Sequence, residues 1–325
     1  MPPLSYLEDQ IQWRLPASCH ENQKGAHLAV VSDPQSLPVS FIHIPKTGGS
    51  TLRWILDRQY RSFLYLIPQW FHADYADPVT TLGLCRRRPD AVGAHRPLDD
   101  SWPRGQTIAM VRDPVRRVLS QVAHIRAEPG AWIPEPGIAL PLADWLERHP
   151  LALFDNNQVR YLSGAAEYDG MPMTTAMEQS DLDTALEAAR SRVLVAPMEA
   201  FDEALLDWGH RLGWDAPYYR RVNVRRRGAV DLPKRDLQAL ESWNRLDRIL
   251  CEEVGVLFRQ RLEKLERESG QSLEGQLATF RRRNESLAAG ADILWHSLGR
   301  GLKHPVRAGR MVARTLGQRL GGSAG

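Results

Sequence analysis

Cysteine is scarce in this chain. Its 325 residues contain three, Cys19, Cys85 and Cys251, an odd number placed far apart. That spacing argues against a disulfide framework and against cysteine-based metal sites, and it fits reduced thiols. No apolar run approaches the roughly 20 residues that a membrane-spanning helix needs. The first residues, MPPLSYLEDQIQW, lack the basic start and apolar centre of a secretory leader. No internal repeat is visible. No G-x-x-x-x-G-K-[ST] loop occurs, and no acidic cluster is spaced to hold a metal, so nucleotide hydrolysis of the ATP-loop type lacks its parts. What is present is ordinary for a folded protein: 43% hydrophobic and 25% charged residues, enough to bury a sizeable core in one large domain with appendages.

The net charge of +3 is unevenly spread. From Phe280 onward nine lysines and arginines stand against Glu285 and Asp292, a local charge of +7 that leaves −4 for the rest of the chain. Ten tryptophans suggest sugar stacking, but tryptophan is more often a core residue, and Trp54 and Trp208 fall within expected helices.

The most informative stretch is FIHIPKTGGSTLRWIL, Phe41 to Leu56. Val39 to Ile44 reads as a short buried strand between Pro38 and Pro45. Lys46, Thr47, Gly48, Gly49, Ser50 and Thr51 follow, and then Leu52, Ile55 and Leu56 at helical spacing. A strand, a glycine loop and a helix start together present backbone N–H groups and a positive dipole end to an anion. Gly48 and Gly49 permit close approach of the backbone, while the lysine and hydroxyls add charge and donors. A second segment has the same logic. Thr107 to Val111 reads as a buried strand and runs into Arg112-Asp113-Pro114-Val115-Arg116-Arg117-Val118-Leu119-Ser120. Pro114 suits the first turn of a helix, and Ser120 lies about two turns along it.

These two segments, in this order, resemble the donor-binding motifs of sulfotransferases that use 3′-phosphoadenylyl sulfate (PAPS). The likeness is strongest to the carbohydrate-type branch that includes heparan sulfate 2-O-sulfotransferase and bacterial relatives. The Pro-Lys-Thr-Gly-Gly-Ser loop is similar to that family's 5′-phosphosulfate loop, and Arg112 and Ser120 match the positions that bind the 3′-phosphate. Asp155 to Gly164 (DNNQVRYLSG), Val193 to Leu206 and Ser242 to Phe258 resemble further family segments, with Cys251 where a tyrosine is usual. The resemblance covers roughly Leu37 to Leu265. It implies a P-loop-like α/β fold, a central parallel sheet flanked by helices. The expected domains are an amino-terminal extension (1–37), a sulfotransferase domain (38–265) and a basic, helical or partly disordered tail (266–325). It implies PAPS as donor, adenosine 3′,5′-bisphosphate (PAP) as product, no metal, a carbohydrate or glycolipid acceptor and no nucleic-acid partner. Animal Golgi members carry a membrane anchor, so its absence here implies a bacterial cytoplasmic protein.

The residues themselves add candidates. His95 stands at the carboxyl end of a short strand, Ala91 to Ala94, and histidine titrates near neutrality, so it is the expected general base. The family often has Gly-His here; this chain has Gly93-Ala94-His95. His43, inside the first strand, reads as a satisfied buried histidine; it and Glu199 are the next bases to test. Arg225 and Arg226, before Gly228, resemble a loop that closes over the 3′-phosphate in the wider fold, and a solvated basic loop explains them as well. Asn157, Gln158 and Arg160 either face the acceptor or serve as caps and surface polarity. Lys46 is the residue expected to neutralise charge on the bridging oxygen as the S–O bond breaks.

Expected elements are strands at 39–44, 91–94, 107–111 and 192–196, and helices at 50–60, 115–127, 142–149, 153–162, 199–212 and 234–265. The alternation predicts a parallel sheet with ligands at the carboxyl ends of its strands. The tail, with Leu294, Leu298 and Leu302 in a row, suits a helix lying peripherally on the inner, anionic membrane face. A disordered solubilising end and an electrostatic guide for an acidic glycan fit it too. Two rivals to the transferase remain: a P-loop-type kinase, and a protein that binds a nucleotide or sulfated glycan without turnover.

Overall fold

The computed structural model describes residues 39–66, 89–127, 141–169, 172–215, 217–219 and 232–286. Five short strands form its centre: β1 (Val39–Ile42), β2 (Phe63–Leu66), β3 (Ala91–Ala94), β4 (Thr107–Val111) and β5 (Val193–Pro197). All are parallel, in the order β2-β3-β1-β4-β5. The helices, in chain order, are α1 (Gly49–Gln59), α2 (Pro114–Ala127), α3 (Leu142–Arg148), α4 (Asn157–Ser163), α5 (Gln179–Ser191), α6 (Phe201–Leu212), α7 (Lys234–Trp243), α8 (Arg245–Ser269) and α9 (Leu273–Glu285). The α/β class is therefore as expected. No helix among the described residues is long and apolar enough to cross a membrane.

Strands β1, β3 and β4 are buried along their whole length, which is why they read as continuous apolar runs. Alternate residues supply opposite faces. Phe41, Ile108 and Met110 pack with Leu52, Ile55 and Leu56 of α1 and with Leu205 and Trp208 of α6. Ile42, Ala109 and Val111 pack on the other face with Val159 of α4 and Leu182 and Leu186 of α5. Helix α8 joins both cores: Leu246, Leu250 and Val254 enter one, Phe258, Leu262 and Leu265 the other. Its 25 residues span about 37 Å. Each fully buried Leu or Ile here stabilises the fold by roughly 1.5–3 kcal/mol. A third cluster, around Val118, Trp145 and Leu240, ties α2, α3 and α7 together.

The structure departs from the expected elements in informative places. The helix expected over 234–265 is two helices that meet at Asn244, and α8 starts where the Asn156 side-chain Oδ1 accepts from the Leu246 and Asp247 amides. The helix expected over 153–162 begins at Asn157, because Asn156 takes a left-handed φ of 39° after a 3-10 turn at Ala152–Phe154. Strand β2 and helices α5 and α9 are additional. The tail boundary expected at 265 falls inside α8, and α9 is packed: Phe280 is buried, and Arg281 pairs with Asp202 and Glu203 of α6. Residues 1–37, the rest of the tail, and Arg225 and Arg226 lie outside the described residues.

Strand order fixes where a ligand belongs. From β1 the chain crosses to β2, beyond β3; from β3 it crosses to β4, beyond β1. The two connections leave in opposite directions, so the carboxyl ends of this adjacent pair form a topological switch point.

Candidate functional site

The loop after β1 turns sharply. Lys46 has φ 67° and Gly48 φ 86°, and only the second is a glycine, so Lys46 holds a backbone conformation that side chains rarely adopt. The Thr47 hydroxyl donates to the Ile44 carbonyl at 2.9 Å and braces the turn. The amides of Thr51 and Leu52 donate to the Gly48 carbonyl and open α1. Gly48 has no side chain to cap the helix, and no acidic residue stands in its first turn, so this terminus keeps its positive end open to an anion. Gly49 has a steric reason as well: a Cβ there would meet the His43 ring at 2.0 Å. Lys46 and Gly48 are half-buried and Ser50 is exposed, whereas Thr47, Gly49 and Thr51 are buried.

His43 and His95 follow β1 and β3 and therefore stand at the switch point. Their rings stack with centroids 3.9 Å apart. The Tyr65 hydroxyl, from β2, shares a hydrogen bond with His43 Nδ1. The Arg53 guanidinium, one turn into α1, lies 3.9 Å from the centre of the Tyr65 ring. Burial is the main reason both histidines are poor bases here. It lowers the His43 pKa well below the usual value, with help from the charges of His95, Arg53 and Lys46. His95 is brought down to about 4 by burial, opposed by a hydrogen bond with the His43 backbone and reinforced by Arg53 and Lys46. Both rings are thus neutral at pH 7. The buried His95 Nδ1 has no hydrogen-bond partner among the described residues. The result is a positive end of the sheet with neutral rings and an unused ring nitrogen.

The β4 side is built differently. Arg112 Nη1 donates to the Lys46 carbonyl at 3.0 Å, which joins the two sequence motifs directly. The backbone of Arg112 is clamped by Gln158, whose Oε1 accepts from the Arg112 amide (2.7 Å) and whose Nε2 donates to its carbonyl (3.0 Å). Cys251 Sγ donates to the same carbonyl. Asp247 holds the clamp: it accepts from the Gln158 and Val159 amides and from Gln158 Nε2, at 2.8 to 3.2 Å. These amides belong to the first turn of α4, where a carboxylate is favoured. Arg117 is wholly buried, with Nη2 donating to the Leu153 carbonyl and Nε 3.9 Å from Asp247. Burial pushes the Asp247 carboxyl up and the Arg117 guanidinium down, and their mutual attraction opposes both shifts.

Asn157, Gln158 and Arg160 therefore have a different setting from the acceptor-facing one. All three are fully buried. Arg160 donates to the Asp155 carboxylate and to the Thr175 carbonyl, both at 2.8 Å, and Asn157 Oδ1 accepts from Arg117 at 3.4 Å. Ser120 lies in the second turn of α2, half-buried. Asp113 begins that helix, its carboxylate accepting from the Arg116 amide and its own amide donating to Glu199. The structure thus gathers Lys46, the glycine loop, His95 and Arg112 at one end of the sheet. Sequence reasoning missed Arg53, Tyr65 and Asp247. The spacing of Arg53 from the loop was available as a signal, whereas Tyr65 needed β2 to be recognised.

No family model matches this chain, and no curated protein sequence matches it.

Proposed function

We propose that the protein is a PAPS-dependent sulfotransferase of P-loop-like fold, acting on a hydroxyl of a carbohydrate or glycolipid, with a cytoplasmic location as part of the same reading. The observation that carries it is the hydrogen bond from Arg112 to the Lys46 carbonyl. Two motifs 66 residues apart, each similar to one phosphate-binding element of that family, meet at the carboxyl ends of β1 and β4. The residues fit a doubly anionic donor: an uncapped helix start with Lys46 for one end, and Arg112 with Ser120 nearby in sequence for the other. When bound, the donor supplies the sulfuryl group and a leaving bisphosphate.

The chain's own residues have defined tasks in this reading. Lys46, held at positive φ, presents its ammonium to charge that develops on the leaving oxygen. Loop amides bind a phosphate. His95 accepts the proton of the attacking hydroxyl, and anionic charge brought next to Lys46 and Arg53 raises its basicity above that of the bare site. His43 backs the His95 ring and fixes the floor under Gly49. Transfer of labelled sulfate from PAPS to glycan and lipid fractions tests the proposal. Lys46→Ala is expected to lower turnover by about 10²–10³-fold with a much smaller change in donor affinity. Equal loss of affinity and turnover would leave Lys46 as a cradle residue only. Bisphosphate binding without any transfer would indicate a binding protein.

A further inference from the structure

A groove of about 570 Å³ opens at the opposite end of the sheet, at the amino ends of β4 and β5. Residues 103–107, residues 189–194 and one face of α8 form its walls, with Leu98 and Trp102 beneath. Its size is that of a small-ligand cleft. Arg104, Arg190, Arg192, Arg261 and Lys264 line it, and no carboxylate does. Three of these cations are partly committed: Arg261 to Asp207 at 3.0 Å, Lys264 to Glu268 at 3.6 Å and Arg190 to Glu253 at 3.8 Å. Arg104 and Arg192 are exposed, and among the described residues no acidic group pairs with either. Gln106, Ser191 and Gln260 add neutral hydrogen-bonding groups between the cations.

We propose that this groove binds a segment of an acidic oligosaccharide carrying sulfate or carboxylate groups. Paired arginines match such anions through their planar forks, and the amide and hydroxyl side chains suit sugar hydroxyls. A nucleotide or single-stranded nucleic acid is the poorer occupant, because bases need an aromatic face. The aromatic side chain here, Trp102, is buried, with its indole N–H donated to the Pro97 carbonyl at 2.8 Å. The five residues of β4 separate the groove from Arg112, on the order of 16 Å at a strand's rise. A group held here is therefore remote from the transfer centre and contributes binding alone. The choice of a saccharide among anions rests on the transferase reading; the anion chemistry does not.

The test is titration of the full-length protein with a sulfated heparin hexasaccharide, without donor. The expected result is saturable binding that Arg104→Glu/Arg192→Glu weakens about tenfold or more. Arg104→Gln/Arg192→Gln should give an intermediate loss with an unchanged thermal midpoint. Lys46→Ala should bind normally, and reversing two tail residues (Arg310→Glu/Arg314→Glu) should matter less. Equal losses from groove and tail reversals overturn the proposal in favour of diffuse charge. Loss with Lys46→Ala places the saccharide in the transfer cleft and overturns it too. So does equal affinity for a single-stranded DNA of matched charge. Failure of sulfate transfer, by contrast, leaves this binding result standing.

Discussion

On the β1–β3 side of the loop, His43, His95 and Tyr65 are neutral rings held against one another, with Arg53 and Lys46 as the nearby charges. On the β4 side, Arg117, Asp247, Arg160 and Asp155 are ions held in pairs within the protein. The contrast follows from what each side must do. A cleft that receives an anion needs positive charge without resident carboxylates, so the groups packed beside it are best neutral. Charges that only position a backbone are buried, and a buried ion without its partner costs several kcal/mol. Gln158 links the halves: it transmits the order of the paired ions to Arg112, which reaches across to the loop carbonyl.

The paired side should be the more fragile to deletion. Asp247→Ala leaves Arg117 buried without its counter-ion and strips acceptors from the first turn of α4. A loss of about 3–5 kcal/mol is expected, read from urea unfolding midpoints. Arg117→Met combined with Asp247→Leu should recover much of it, because no charge is then stranded. A single-variant loss below about 1 kcal/mol would mean that solvent reaches Asp247 and that the ionic character assigned to this side is mistaken.

The ring side should instead be sensitive to volume. Gly49→Ala places a methyl group where the His43 ring already lies. Overpacking of this kind costs about 1–3 kcal/mol. Adding His43→Ala should relieve it, so that the double variant is more stable than the sum of the single changes predicts. Strict additivity in that cycle would show that the His43 ring is not what reserves position 49 for glycine.

The unequal legibility of the chain has the same root. Strands β1, β3 and β4 were readable because burial on both faces writes itself as an unbroken apolar run, and the loop and Arg112 were readable as local motifs at their ends. Strand β2, FLYL, is mostly half-buried and follows a charged helix end with Ser62 as the single turn residue between, so pairing with β3 decides it. Helix α5 did carry a local signal, Glu178 with Asp181 ahead of Leu182, Ala185, Leu186 and Ala189, with the Glu178 amide donating to Asp181. The break at Asn244 was not local: the periodicity continues through it, and the cap comes from Asn156 in another helix's lead-in. The inward aim of Asn157 and Gln158 depends likewise on where α8 packs, which no window around those residues contains.

The pH dependence of stability separates the two sides further. His95 titrates near 4 in the folded protein against about 6.5 unfolded, and His43 shifts in the same direction. The unfolded chain therefore binds more protons between these values, and the histidines make stability rise with pH from about 4 to 6.5. Asp169 acts oppositely. It is buried against Tyr161, which donates to it at 2.7 Å, with Arg117 and Asn157 also facing it, and burial raises its pKa to about 7. Its folded form keeps a proton that the unfolded chain has lost above pH 4, so its contribution falls with pH across the same window. Each fully shifted group is worth about 1.4 kcal/mol per pH unit, and opposite slopes cancel in part. Asp169→Asn should steepen the rise between about pH 4.5 and 6.5, and His95→Gln should flatten it. Urea unfolding at three pH values measures both slopes. An unchanged slope in Asp169→Asn would mean that Asp169 is ionised in the fold, and that paired charge extends to this residue as well.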